Sequence, residues 1–291
     1  MRTQDILARV NDAMAPYAAI ERGSCNAEGI AFDIKTRLDL LAADLEAQLR
    51  QEIASAKGTG NATRTVTAML NAAKKSDTIR TTLHYAWTDK QGRQCVCDGY
   101  RAFRLTEPLE LEPRPADADE PIDLDKIIPD TSADGWLTMP LPTIKEVKAF
   151  VAVERAKDRR AGAIWDFGEG RPAVNAAYLI DALTVLPAAA EVFYRPGVGL
   201  LNPLVFKSER GDGVLLPVRT ERVMAEYEKA RNAEQLAREE ARRAERDAVE
   251  RRKFHAAVLD DLLRNYREKA AKDATYSLTP DEFANMAQYA A

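Results

Sequence analysis

The sequence has few of the side chains that most catalytic and metal sites need. Its 291 residues include only two histidines, His84 and His255, and three cysteines, Cys25, Cys95 and Cys97. A zinc site usually takes four Cys, His or carboxylate ligands at close spacings, and the Cys95-x-Cys97 pair has no second ligand pair nearby. Ordinary packing is the simpler interpretation of these thiols.

Recognisable catalytic motifs are also missing. The sequence has no phosphate-binding glycine loop, no dinucleotide fingerprint and no nucleophile-elbow motif. We therefore predict no catalytic residues, no metal, no cofactor and no enzymatic activity. A carboxylate pair would be hard to recognise among 46 acidic residues, so a hydrolytic enzyme stays a distant third interpretation.

Long apolar runs and a secretory leader are absent as well. The first segment, MRTQDILARVNDAM, lacks the apolar stretch of a signal peptide, and no run approaches the roughly 20 residues that span a bilayer. An odd cysteine count without such a leader favours a reducing compartment. We predict a soluble cytoplasmic protein with no membrane partner. The net charge of −4 gives no global sign of nucleic-acid binding, but a local basic face stays open.

The pattern of apolar residues predicts a mixed chain of helices and strands. Helical spacing covers 1–20, 38–49, 66–75, 143–157 and 176–186, and alternation or β-rich runs cover 30–34, 79–87, 93–97, 136–139, 163–167, 191–194, 203–208 and 214–218. Pro16 is predicted to end or kink the first helix, and Pro142 to open a later one. Residues 57–60 are typical of a linker, and Gly211-Asp212-Gly213 of a tight turn. Residues 106–134, rich in proline and acid, predict an extended, partly mobile connection.

The C-terminal third predicts helices of a different kind. Residues 221–253 are mostly Glu, Arg and Ala and include the i,i+4 pair Glu234/Arg238, which indicates a solvated helix. An apolar stripe follows at 254–266, and a capping box with proline begins at Thr279. The charged helix is either a spacer or a self-pairing element. The stripe either associates with a second copy or packs back on the body.

Two segments of the middle region carry more specific motifs. Residues 79–105 contain Cys97-Asp98-Gly99-Tyr100-Arg101-Ala102 after two predicted strands, and residues 174–219 run from a strand through a helix and three strands to Leu215-Leu216-Pro217-Val218-Arg219. The first resembles the central segment of the bacterial DNA polymerase III β sliding clamp, which has Thr-Asp-Gly-His-Arg-Leu there. The second resembles the C-terminal half-domain of that clamp, whose final strand closes on Met-Pro-Met-Arg.

The resemblance implies a fold. We expect an α+β, sliding-clamp-like central region of antiparallel sheets and short helices over residues 61–219, with a helical N-terminal extension (1–60) and a charged helical C-terminal extension (220–291). Helices near 65–75, 143–157 and 176–186 should pack on one face of the sheets. The family has three such domains per chain and closes a ring as a dimer. This chain has room for one or two, so a ring would need more subunits or be absent. A divergent phage or prophage relative would fit these departures.

The resemblance also implies a pocket for short partner peptides. In the family, the Asp-Gly-His-Arg-Leu turn and the final strand of the C-terminal domain line it. The matching positions are Gly99, Tyr100 and Arg101 on one side, and Val214, Leu216, Pro217 and Val218 on the other. We expect the two segments to lie side by side, with Tyr100 and Arg101 at the rim. The alternative is that Leu216 and Val218 are core residues and that Pro217 merely ends an edge strand.

A third implication concerns DNA. Helices of the family hold the duplex by phosphate charge without reading bases. The candidate residues here are Lys74, Lys75, Lys145, Lys148, Arg155, Lys157, Arg159 and Arg160. Acidic residues interleave with them, so an ordinary solvated helix face is the alternative.

Together these expectations describe a non-catalytic, clamp-like accessory protein of DNA replication. It would dock replication or phage proteins through short peptides, and double-stranded DNA without sequence specificity. The alternative is a structural or scaffolding protein that keeps the fold and assembles through its helical ends. A homo-oligomer fits both interpretations.

Overall fold

The structure, a computed structural model, describes residues 3–15, 27–76, 81–158, 162–187, 191–273, 275 and 277–290. The chain divides into two units, Met1–Tyr227 and Glu228–Ala291. Both the predicted 1–60 extension and the predicted 61–219 region belong to the first unit. None of the described helices is long and apolar enough to cross a membrane.

Helices and strands alternate through the first unit. Its helices are α1 (Thr3–Met14), α2 (Ala27–Ala56), α3 (Gly60–Lys75), α4 (Ile144–Lys157) and α5 (Ala176–Val185). Its strands are β1 (Trp87–Thr88), β2 (Gln94–Cys97), β3 (Arg101–Leu105), β4 (Leu137–Met139), β5 (Ile164–Asp166), β6 (Ala173–Asn175), β7 (Glu191–Tyr194), β8 (Leu204–Ser208) and β9 (Gly211–Leu215). Short 3-10 helices form at Thr81–His84, Leu124–Lys126 and Gly197–Gly199.

Seven of the strands form one antiparallel sheet. Their order is β1-β2-β3-β9-β8-β7-β4, and β5 and β6 form a separate antiparallel pair. The β3–β9 pairing joins residues 101–105 to residues 211–215, and so unites the two segments that were predicted to lie side by side. The expectation of a mixed α+β chain with antiparallel strands is confirmed.

Alternation along the strands separates the two faces of the sheet. Leu204 and Phe206 of β8 belong to one buried cluster, and Val205 between them belongs to another. The first cluster also contains Val66 of α3, Val147 of α4, and Leu179 of α5. The three helices therefore pack on one face of the sheet, as predicted.

The opposite face is covered mainly by irregular chain. Its cluster includes the thiols of Cys95 and Cys97, together with Leu124 and Ile128 from the 106–134 connection. That connection is extended, as predicted, but it buries side chains against the sheet and contains one 3-10 turn.

Several local predictions are wrong. Residues 30–34 lie inside α2 rather than in a strand, because Ile30, Ile34, Leu38 and Leu41 also fit the helical period. Of the strand predicted at 79–87, residues 77–80 lie outside the described residues, 81–84 form a 3-10 helix, and strand structure begins only at Trp87. Thr81 instead donates from its amide and its hydroxyl to Asp119 Oδ2, at 3.1 and 2.6 Å.

Helix starts and turns were also misplaced. Residues 57–59 form a tight turn between α2 and α3 rather than a linker, and Gly60 is the first residue of α3. Pro142 precedes the helix, because Thr143 is the N-cap and forms a capping box with Glu146. Helix α1 ends at Met14, as a following proline would require, although Pro16 itself lies outside the described residues.

The glycines at 211–213 lie in β9 instead of in a turn. A Cβ at Gly211 would lie 2.1 Å from the Arg104 carbonyl oxygen, and one at Gly213 would lie 2.7 Å from Phe103 Cδ1. Glycine is therefore needed here because β3 passes so close. The connection between β8 and β9 is the Glu209–Arg210 pair, and β9 ends at Leu215 rather than at Val218.

The second unit is helical. It contains most of α6 (Glu221–Lys272) and all of α7 (Pro280–Ala290), which the predicted capping box at Thr279 opens. The rings of His255 and Tyr289 meet edge to face at 5.5 Å, and Lys269 Nζ donates to Glu282 Oε1 at 2.8 Å. No described residue between 228 and 289 is buried.

Candidate partner-docking site

The candidate site begins at the hairpin between β2 and β3. Gly99 has a φ of 89° and is the first of two turn residues, the position at which a type II′ hairpin places glycine. Asp98 Oδ1 accepts hydrogen bonds from the amides of Tyr100 and Arg101, both at 2.9 Å. This holds the turn rigid and leaves the Tyr100 side chain 59% exposed.

The next residue forms a buried ion triad. Arg101 Nε donates to Asp98 Oδ2 at 2.9 Å, and Arg101 Nη1 donates to Asp181 Oδ2 on α5. The guanidinium also covers one face of the Tyr178 ring, with Cζ 4.3 Å from the ring centroid. The exposed fractions of the side chains are 7% for Arg101, 9% for Asp98 and 30% for Asp181.

Burial changes the titration of the groups around this triad. Desolvation raises the pKa of Asp181, because it outweighs the attraction of Arg101. Desolvation also raises the pKa of Tyr178, and the charge of Asp98 adds to that effect. The Tyr100 ring lies 5.8 Å from the Tyr178 ring, at an angle of 36°. An aromatic pair and a carboxylate that is 30% exposed therefore share this corner of the sheet.

The two segments that the sequence paired by resemblance lie side by side. Arg101 pairs with Leu215 and Ala102 with Val214 across β3 and β9, and the Leu216 amide donates to the Tyr100 carbonyl at 2.9 Å. The predicted adjacency is confirmed. Beyond Leu216 the chain changes partner, since the Val218 amide donates to the Ala173 carbonyl at 2.7 Å and Pro217 between them has no amide to donate.

The exposed members of the predicted set are Gly99, Tyr100 and Leu216, and Leu216 is 40% exposed. Pro217 and Val218 are half-buried. Leu216 is therefore not a core residue, and Pro217 follows a central strand rather than an edge strand.

Two residues of the predicted set do not line an open surface. Val214 is 2% exposed, because strand alternation turns it toward the loop-covered face of the sheet. Arg101 is not at a rim, because Asp98, Asp181 and Tyr178 surround its guanidinium. Five cavities of about 340 to 660 Å³ in the described part of the chain have linings that include neither Tyr100 nor Leu216.

Sequence reasoning missed Tyr178 and Asp181. They lie three residues apart on α5, on the same side of the helix. They belong to the candidate site only because α5 packs against β3. The available signal was the presence of arginines among the apolar residues of 101–105, since a buried arginine needs a carboxylate partner.

The predicted DNA-contacting residues fall into three groups. Lys74 and Lys157 are paired with Glu112 and Glu154, both at 2.6 Å. Lys75 and three residues of α4 are exposed and have no ion pair within the described chain: Lys145, Lys148 and Arg155. The last three share one side of α4, because their spacings of three and seven residues match the helical repeat. Arg159 and Arg160 lie outside the described residues.

Among the described residues, no three His, Cys, Asp or Glu side chains form a group that could hold a metal ion. The Cys95 and Cys97 thiols lie under the loop-covered face, where burial raises both pKa values. Comparison with protein-family models, curated proteins and solved structures gives no match to this chain.

Proposed function

We propose that this chain is a non-catalytic binding protein of the sliding-clamp type, an accessory of DNA replication that docks an extended partner peptide beside the β2–β3 turn. The observation that supports this most directly is the register of β3 and β9, which places exposed Tyr100 next to exposed Leu216. These two residues belong to the two segments whose counterparts line the peptide pocket of the clamp family. Apolar side chains beside a rigid turn suit an extended peptide with one or two large apolar residues.

Leu216→Asp tests this proposal. The variant puts a charge where the peptide would bury apolar surface, so peptide binding should fall by at least tenfold, since an unpaired charge costs several kcal/mol in a dry contact. Folding should persist because Leu216 is 40% exposed. Leu137→Asp is a matched control, because Leu137 is 48% exposed in β4, at the far edge of the same sheet.

The probe is a library of extended peptides with two large apolar residues, read by fluorescence anisotropy, with circular dichroism as the folding check. Equal losses in both variants, or unchanged binding in the Leu216 variant, would contradict the proposed site.

DNA docking is the second part of the proposal, and it is supported by the cations on one side of α4 that have no ion pair within the described residues. Reversal of Lys145, Lys148 and Arg155 to Glu should abolish sequence-independent binding to duplex DNA at low salt. In the unchanged chain, affinity should fall steeply as salt rises, as counterion release requires. Binding that survives the triple reversal would remove these residues from the DNA path.

A scaffold that assembles through its helical ends is the second candidate. The second unit favours it, because Phe254 and Phe283 are 62% and 65% exposed and no described residue between 228 and 289 is buried. A second copy would cover such side chains. Sedimentation should then show a concentration-dependent oligomer that Phe254→Glu with Phe283→Glu dissolves, and a monomer at every concentration would contradict assembly by this route.

A further inference from the structure

We infer that the docking surface selects peptides that carry an arginine or lysine beside their apolar anchor, and that Asp181 and Tyr100 receive this cation. The inference rests on the proposed docking function and names the chemistry of its ligand. It follows from the charge balance of the triad, from the exposure of its members and from the position of the aromatic pair.

The triad carries more acidic than basic groups. Two carboxylates, Asp98 and Asp181, share a single cation, because Arg101 is the only basic residue paired with either of them in the described part of the chain. The triad therefore has one negative charge in excess when both acids are ionised. A partly desolvated excess charge favours a cationic ligand more strongly than a fully solvated one would.

The excess negative charge lies at Asp181. Both oxygens of Asp98 are occupied, by two amides and by Arg101 Nε. Asp181 uses only Oδ2, and its Oδ1 has no hydrogen-bond partner among the described residues. Asp181 is also the member of the triad that solvent reaches, at 30% exposure against 7% for Arg101. An incoming ligand therefore meets a carboxylate and not the guanidinium.

The aromatic pair, Tyr100 and Tyr178, has one ring that is open to a ligand. Arg101 already covers one face of Tyr178, at 4.3 Å, whereas Tyr100 is 59% exposed and lies 5.8 Å from Tyr178. An exposed tyrosine ring attracts a cation within about 6 Å of its centroid. Tyr100 is also the residue whose carbonyl accepts from the Leu216 amide, so the cation site adjoins the proposed apolar anchor site.

The behaviour of Asp181 agrees with this arrangement. Burial raises the pKa of its carboxyl even though Arg101 is bound, so its negative charge is only partly compensated. A cation at Oδ1 would complete that compensation. An acidic peptide residue at the same place would meet the excess negative charge and be rejected.

The test uses the full chain and four fluorescein-labelled peptides that share two large apolar residues and differ at one neighbouring position: Arg, Lys, Gln or Glu. Arg and Lys should bind about five- to tenfold more tightly than Gln, and Glu more weakly than Gln, as a cation–π contact together with a partly exposed ion pair predicts. The variable position is moved along the peptide, so that the register of docking does not decide the result.

Asp181→Asn should lower the preference for Arg and Lys by about two- to fivefold, to what the Tyr100 ring alone supplies, and should remove the discrimination against Glu. Arg101 keeps Asp98 and still finds an amide oxygen at residue 181, so the variant should fold. Glu209→Gln removes the same charge from the exposed β8–β9 turn, at the other end of β9 from Leu216, and should leave the preference intact. Tyr100→Ala should reduce it, and Tyr100→Phe should keep it.

The possible failures are distinguishable. Absence of binding by all four peptides contradicts docking itself, and with it this inference. Tight binding without a preference for Arg and Lys overturns the inference and leaves the docking proposal standing. A preference that is undiminished in the Asp181→Asn variant also overturns it, because the selecting charge would then lie elsewhere.

Discussion

The two units of the chain are stabilised in different ways. In the first, Phe103 and Phe206 are fully buried between strands that are distant in sequence and helices packed above them. In the second, no described residue between 228 and 289 is buried, and stability comes from strong helix formers and from i,i+4 pairs such as Glu234/Arg238. The contrast teaches that the first unit depends on buried side chains and the second does not, so equivalent substitutions should affect the two units differently.

The largest expected difference is between two phenylalanines. Phe206→Ala should lower the free energy of unfolding by about 3–5 kcal/mol, because it leaves a cavity in the core. Phe254→Ala should change it by no more than about 0.5 kcal/mol, because the side chain is already largely in water. Urea denaturation followed by circular dichroism and tryptophan fluorescence measures both. Similar losses in the two variants would mean that Phe254 is covered in solution, and the comparison would fail.

Addition of volume gives the next largest difference. Gly213→Ala should cost about 1–3 kcal/mol, because the new methyl group would lie 2.7 Å from Phe103 Cδ1 and 2.8 Å from the Ala102 carbonyl oxygen. Ala244→Leu on exposed α6 adds more atoms and should be nearly neutral. Thermal unfolding of both variants measures the two changes in stability. A neutral Gly213→Ala would show that β3 and β9 can separate at small cost.

Loss of either capping box should have a smaller effect on stability. The effect should spread through the first unit in one case and stay local in the other. Thr143→Ala should lower the free energy of unfolding by about 1 kcal/mol, because it uncaps a helix that is part of the core. Thr279→Ala removes the equivalent hydrogen bond from α7. Its effect should stay local, with faster amide exchange in α7 and an unchanged unfolding midpoint for the first unit. A shift of that midpoint would indicate that α7 supports the sheet.

The smallest expected effect is a pH dependence where α6 begins. Desolvation, the largest single influence, raises the pKa of Asp166, but hydrogen bonds from Arg222 and Gly168 outweigh it and the net pKa is lowered. Ionised Asp166 therefore stabilises the folded chain fully above a pH of about 3.9, the pKa of this carboxyl in the unfolded chain. That stabilisation is lost as the pH falls through the lower pKa that Asp166 has in the folded chain.

Asp166 is partly exposed, so the amount should be below about 1 kcal/mol. Asp166→Asn should flatten the pH dependence of unfolding in acid. The same acid slope in both proteins would assign the effect to other carboxylates.

Local chemistry explains which features could be predicted from the sequence. Helical periods placed α4, α5 and α6, and the capping box placed the start of α7 at Pro280. Glycine misled the prediction at 211–213, since the requirement for Gly211 comes from Arg104 on a strand more than a hundred residues away. Helix and strand periods were confused at 30–34 because the apolar residues there fit both.

Only part of the candidate site could be predicted from the sequence. The adjacency of Tyr100 and Leu216 followed from the resemblance, whereas the burial of Arg101 depends on Asp181, which α5 supplies from outside either motif. Val214 was misassigned because side chains of the 106–134 connection cover the face of the sheet on which it lies, a contact between distant parts of the chain that local patterns do not show.

The two buried strand thiols give this protein a built-in reporter of sheet opening. Burial raises the pKa of Cys95 to about 12, and that of Cys97 is raised as well, so almost no thiolate forms at neutral pH while the sheet is closed. Alkylation of these thiols must then wait for a fluctuation that parts β2 from the 106–134 connection. With Cys25 replaced by Ser, the rate of modification would count those openings directly, and a docked peptide that tightens the β2–β3 turn would make them rarer.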